Sequence, residues 1–103
     1  MNKIYEYKGF NIYNLGNNQY IVHNTNITDV FAHSHIRNYN TAKFVIKLTV
    51  SKTIRGDIPT YLMGSIIRLT SDERFKEEYQ NVMNNKLRKK KDFYYNPNKG
   101  IRK

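Results

Sequence analysis

The run Phe10-Asn11-Ile12-Tyr13-Asn14-Leu15, then Gly16-Asn17-Asn18, then Gln19-Tyr20-Ile21-Val22-His23 decides the fold. Its first part alternates, with Phe10 and Ile12 on one face of an extended chain. Gly16, Asn17 and Asn18 tolerate positive φ, which a tight hairpin turn demands. The returning part is rich in β-branched and aromatic residues. Together they predict two antiparallel strands joined by a short turn. Upstream, Lys3-Ile4-Tyr5-Glu6-Tyr7 reads as another strand, closed by the turn signal Lys8-Gly9. Downstream, Asn24-Thr25-Asn26 breaks the chain. Residues 29–36 then read as a further strand, with Phe31, His33 and His35 on one face. The expectation is an antiparallel meander of three or four strands.

The remainder reads as helices. Asn40 or Thr41 is expected to cap a helix running through Ala42 to about Ile54. Lys43, Lys47 and Ser51 form its narrow polar wedge, and the other positions are mostly apolar. Arg55-Gly56-Asp57-Ile58-Pro59 stops it. Thr60 is the expected cap of a second helix, apolar almost all round. Thr70 and Glu73 have capping-box spacing for a third. In that third helix Phe75, Tyr79, Val82, Met83 and Leu87 follow at helical spacing. The fold class is therefore α+β. A single domain spans residues 1–91, with two or three C-terminal helices packed on the sheet. Residues 92–103 lack a period and are expected to form a flexible basic tail.

Composition narrows the chemistry. The chain has 103 residues, no Cys and a formal charge of +10. The missing Cys excludes disulfide scaffolds, zinc knuckles and cysteine nucleophiles. No apolar run approaches the length of a membrane span. The opening MNKIYEYKGF has no apolar stretch, so no secretory signal is expected, and the expected location is cytoplasmic. Asn, Lys, Ile and Tyr supply 46 of the residues. They use AT-rich codons, which discounts the charge but not its distribution. Residues 86–103 carry eight basic groups against Asp92 alone, whereas residues 1–85 carry ten basic and seven acidic groups.

That asymmetry carries the functional reading. Lys86, Arg88, Lys89, Lys90 and Lys91 follow one another at the end of the third helix. They would grip phosphates, because each such contact releases condensed counterions. They also sit at the negative end of the helix dipole, which favours each by roughly 0.3–1 kcal/mol. Phe93, Tyr94 and Tyr95 add rings able to stack on unpaired bases. Lys43 and Lys47 are the expected secondary contacts. Tyr5, Tyr7, Tyr13 and Tyr20 either line the solvent face of the meander as a binding surface or pack as ordinary half-buried sheet residues. His33 and His35, with His23 near them, could in principle bind a metal or serve acid–base chemistry. No carboxylate stands at ligand spacing, and no metal or cofactor is expected. Residues 41–69 also have helix-turn-helix spacing, although Thr60, Tyr61, Ser65 and Arg68 are the polar residues the second helix offers. Arg55-Gly56-Asp57 is most simply a turn. Asn26-Ile27-Thr28 is a glycosylation pattern without a secretory route.

A resemblance enters on three stretches. They are Tyr7-Lys8-Gly9-Phe10-Asn11-Ile12-Tyr13, Asn18-Gln19-Tyr20-Ile21-Val22, and Tyr39-Asn40-Thr41-Ala42-Lys43 with Ile46. This pattern resembles the three-strand-plus-helix modules of AP2-like and integrase arm-binding domains. It is also similar to small accessory proteins of Gram-positive mobile elements. In the arm-binding domains the sheet docks in the major groove, and the resemblance would implicate Tyr13, Gln19 and His23.

Three functions follow as expectations. The first is a non-enzymatic accessory protein of a phage or mobile element that binds DNA or RNA. The second is a protein-binding inhibitor or adaptor, anti-CRISPR-like in the broad sense, acting on a host protein or ribonucleoprotein. The third is a small ribonuclease toxin. No membrane partner is expected, and the sequence leaves the oligomeric state open.

Overall fold

The computed structural model describes residues 2–29 and 32–95, with side chains through Lys89. Strands β1 (Asn2–Tyr7), β2 (Phe10–Gly16), β3 (Gln19–Asn24) and β4 (His33–Ile36) form one antiparallel sheet in the order β1-β2-β3-β4. Helices α1 (Tyr39–Ser51), α2 (Thr60–Leu69) and α3 (Glu73–Tyr95) follow. The α+β meander read from the sequence is the fold, with four strands and three helices.

Both tight turns use positive φ at their two central residues. These are Lys8 and Gly9 between β1 and β2, and Asn17 and Asn18 between β2 and β3. Such turns match the natural twist of a hairpin. Gly9 is constrained twice, because a Cβ there would also collide with the Asn26 side chain. The segment after β3 cradles this turn. The Thr25 amide and hydroxyl both donate to the Gly9 carbonyl, at 2.8 and 2.7 Å.

Strand parity divides the sheet into two faces. Ile12 lies opposite Tyr5 and Val22, and Phe10 lies opposite Tyr7 and Asn24. Tyr20 lies opposite Ile36. Phe10, Ile12, Val22 and Ile36 are buried with Ala42, Val45 and Ile46 of α1 and with Leu62, Met63, Ile66 and Leu69 of α2. Each fully buried aliphatic side chain contributes roughly 1.5–3 kcal/mol. Phe75 and Tyr79 bring α3 onto this core, their rings meeting edge to face at 5.2 Å.

Polar ties join the layers. The buried Asn24 amide donates to the Leu69 carbonyl at 2.7 Å, joining β3 to the end of α2. The buried hydroxyls of Ser34 and Ser65 meet at 2.6 Å, and Arg68 donates to Ser34 at 2.9 Å. Ser65 and Arg68 are thereby occupied in packing α2 on β4. A recognition helix would need those side chains free, so α2 is a core helix.

Helix boundaries differ from the sequence reading at every cap. Asn38, not Asn40 or Thr41, caps α1, and its Oδ1 accepts from the Thr41 amide at 2.9 Å. The helix stops at Ser51, short of Ile54, because Lys52 turns left-handed and donates back to the Leu48 carbonyl. Pro59 precedes α2 with no side-chain cap, and Thr60 is the first helical residue. Asp72 replaces Thr70 as the cap of α3, its Oδ1 accepting from the Arg74 and Phe75 amides at 3.0 and 3.1 Å. Strand β4 is shorter than residues 29–36, and Phe31 lies outside the described residues. Helix α3 runs on to Tyr95, so residues 92–95 of the expected tail are helical. Residues 96–103 lie outside the described residues.

Asp72 also pairs with Lys52 across 2.7 Å. That hydrogen bond, followed by the one from the Phe75 amide, holds its carboxyl below the usual carboxylate range. A depressed pKa stabilises the fold above the ordinary value of about 3.9, and the contribution is lost as pH falls through the folded-state value. Asp72→Asn keeps a capping side chain but removes the charge. Urea denaturation should find this variant less stable than the parent at neutral pH. The gap should close as the solution is acidified below about pH 3.9. A gap independent of pH would remove the ion pair from the account.

Candidate nucleic-acid interface

Parity places Tyr5, Tyr7 and Tyr20 on the helix-facing side of the sheet, since they lie opposite Ile12, Phe10 and Ile36. The solvent-face reading is corrected for these three. The two-residue turn Lys8-Gly9 sets Tyr7 opposite Phe10 and Tyr5 opposite Ile12, and Tyr20 shares the parity of Val22, so all three take the face of the core. Of those four tyrosines only Tyr13 points the other way. It shares that face with Lys3, Ile21, His23, His33 and His35.

Helix α1 lies across β2, β3 and β4. Strand β1, at the sheet edge, extends past it and leaves a cleft. Tyr5, Tyr7, Asn40, Lys43, Phe44 and Lys47 line this cleft of about 440 Å³. Helical spacing puts Asn40, Lys43, Phe44 and Lys47 on one side of α1. Tyr39 stands behind them. Its ring meets Tyr20 at 5.8 Å and Tyr5 edge-on at 6.3 Å.

The Lys43 ammonium lies 5.0 Å from the Tyr39 ring centre and 5.4 Å from that of Tyr5. The negative faces of both rings attract it. A flexible four-carbon side chain is thereby held in place, and less of its rotamer entropy remains to be lost when an anion binds. Lys47, one turn further on, is exposed. Tyr7 is 42% exposed at the other wall, with the Lys8 ammonium 5.9 Å from its ring centre.

Positive groups continue from the cleft towards α3. The Arg55 guanidinium lies 5.8 Å from the Phe44 ring centre. It also forms a two-pronged pair with Asp57, at 2.9 and 2.6 Å. This pairing is the main reason the Asp57 carboxyl is held below its usual range. Beside it, the Arg55 amide donates to the buried Tyr79 hydroxyl at 2.8 Å. Lys86 then reaches the same loop from α3, donating to the Ile58 carbonyl at 2.6 Å and the Gly56 carbonyl at 3.2 Å.

The residues singled out from the sequence thus part company. Lys43 and Lys47 share one cleft. Lys86 is half-buried and fastens the 56–58 loop, a structural task that the count of basic residues did not reveal. Arg88 and Lys89 are exposed on α3, and Arg88 donates to the Asn85 side chain. Lys90, Lys91, Tyr94 and Tyr95 lie on α3, but their side chains fall outside the described residues. Sequence reasoning did not pick out Tyr39, Asn40 and Phe44. The i, i+4 spacing of Tyr39 with Lys43, and of Asn40 with Phe44, was the available signal.

The three histidines do gather on one sheet face. His23 lies opposite His33, and the His33 and His35 rings stand 5.4 Å apart. Among the described residues, however, no three His, Asp or Glu side chains are placed to hold a metal ion. Tyr13 and His23 are on this same face. Nearby, Asn11 donates to the Tyr13 hydroxyl at 3.1 Å, and its buried Oδ1 has no partner among the described residues.

Lys86→Met keeps the aliphatic stem and removes the ammonium from the two carbonyls. It should lower unfolding stability by about 1 kcal/mol, read from the urea midpoint, and leave the salt dependence of oligonucleotide binding unchanged. Unchanged stability with a shallower salt dependence would return Lys86 to a phosphate-gripping role. Comparison with protein-family models, with curated proteins and with solved structures finds no match for this chain, so its functional reading stands on this geometry.

Proposed function

We propose that this chain is a non-enzymatic nucleic-acid-binding protein, and that the cleft between β1 and α1 is its principal contact. The observation that carries the reading is the placement of Lys43. A cation held against two tyrosine rings, with Lys47 beside it, presents fixed positive charge next to exposed aromatic surface. Phosphates answer the charge, and bases or sugars answer the rings. Arg88 and Lys89 on α3 supply further phosphate contacts, and the basic residues that follow them strengthen the same field. An accessory role of this kind agrees with the resemblance to small proteins of mobile elements.

The mechanism is electrostatic capture followed by local fitting. The net charge of +10 draws a polyanion to the surface. Each phosphate neutralised by a lysine or arginine then releases condensed counterions, and their dilution into bulk solvent favours binding. The prepositioned Lys43 fixes where along the strand the protein sits. The opposite sheet face offers weaker attraction, because Lys3 there is paired with Glu6 at 3.0 Å.

Fluorescence anisotropy of a labelled oligonucleotide over a salt series tests this. Affinity should fall steeply as salt rises. Lys43→Gln and Lys47→Gln should each make the log–log slope shallower by about 0.7 on single strands or about 0.9 on duplex DNA. An affinity that does not change when salt is doubled would overturn the reading.

A further inference from the structure

We infer that the cleft takes an unpaired base together with its phosphate, so that the polyanion this chain binds is single-stranded. The inference rests on the nucleic-acid reading above and narrows it.

A duplex keeps its bases stacked and offers a protein only base edges and backbone. Aromatic walls gain little from either. The cleft is walled by the rings of Tyr5, Tyr7 and Phe44, and its volume of about 440 Å³ is that of a small-molecule site. Such walls are satisfied by a flat π-face, which a nucleotide presents only when it is out of the helical stack. Tyr7 is the exposed ring of the three, whereas Tyr5 and Phe44 are half-buried. Each has a cation near its face, Lys43 at Tyr5, Arg55 at Phe44 and Lys8 at Tyr7.

Polar groups stand where the rest of a nucleotide would lie. Lys43 and Lys47 are one helical turn apart on one wall, placed for a phosphate on the strand that leaves the base. Asn40 is exposed at the same cleft, and its side-chain amide makes no hydrogen bond to another described residue. An amide both donates and accepts, which suits the edge of a base that has lost its pairing partner.

The elements that would read a duplex are less suited. A groove reader needs a helix or strand pair with polar side chains projecting towards base edges. Helix α2 spends Ser65 and Arg68 on Ser34. The open sheet face has its Lys3 neutralised by Glu6. Ribose and deoxyribose strands share the chemistry used here, so the proposal covers both, and the experiment separates them.

The test compares the full chain on labelled oligothymidylate, oligouridylate and a hairpin duplex at the same salt. Either or both single strands should bind on the order of tenfold more tightly than the duplex. Tyr7→Ala should weaken single-strand binding by about 5-fold to about 150-fold, the range found when one base–ring stack is lost. Duplex binding, which offers no unpaired base to stack, should fall by less. Tyr7→Phe should restore most of the loss. Tyr7 lies on an exposed edge strand, and a thermal melt checks that each variant folds. Equal affinity for duplex and single strands, or a folded Tyr7→Ala that binds single strands as before, overturns the inference and leaves nucleic-acid binding standing. Failure to bind any of the three probes at low salt overturns both.

Discussion

Phe10, Ile12, Val22 and Ile36 occupy one face of the sheet and are buried against α1 and α2. Because strand side chains alternate, this burial fixes every other side chain in the meander. It turns Tyr5, Tyr7 and Tyr20 towards the helices and sends Tyr13, His23, His33 and His35 to the far face. A register slip of one residue would expose the core and bury the histidines. The aromatic cleft is therefore a by-product of core burial. The edge strand must follow the parity of β2, and its tyrosines emerge where α1 no longer covers the sheet.

The cleft gains its chemical character from α1. Its buried stripe of Ala42, Val45, Ile46 and Thr49 sets the rotation of the helix. With that rotation fixed, Asn40, Lys43, Phe44 and Lys47 face the extended edge of β1. Lys43 has two rings to lie against because Tyr39 packs between Tyr5 and Tyr20. Sheet, helix and charge are thus joined through a small set of aromatic contacts. The 55–58 loop joins the same surface to α3, through Arg55 on Phe44 and Lys86 on the loop carbonyls.

Much of this was legible in the residues. Alternation in 10–23 and the turn chemistry of Lys8-Gly9 and Gly16-Asn17-Asn18 gave the meander, and apolar spacing gave the helices. Lys43 and Lys47 were placed together because a period of 3.6 aligns them. The face of the β1 tyrosines was legible but not read, since the two-residue turn Lys8-Gly9 sets Tyr7 opposite Phe10 and alternation then sets Tyr5 opposite Ile12. The helix caps were missed for a different reason. Asn38, Asn40 and Thr41 are all competent caps, and packing of the helix chooses among them. The task of Lys86 was hidden because a run of like charges looks uniform until one member finds two backbone carbonyls.

The central claim is that nucleic acid meets this chain in the cleft between β1 and α1. Photocrosslinking of an oligonucleotide carrying 5-iodouracil, followed by peptide mapping of the adducts, tests it directly. The account predicts adducts on Tyr5, Tyr7 or Phe44, lost when unlabelled competitor is added. Adducts confined to Tyr13 on the opposite sheet face, or to Tyr61 on α2, would contradict it.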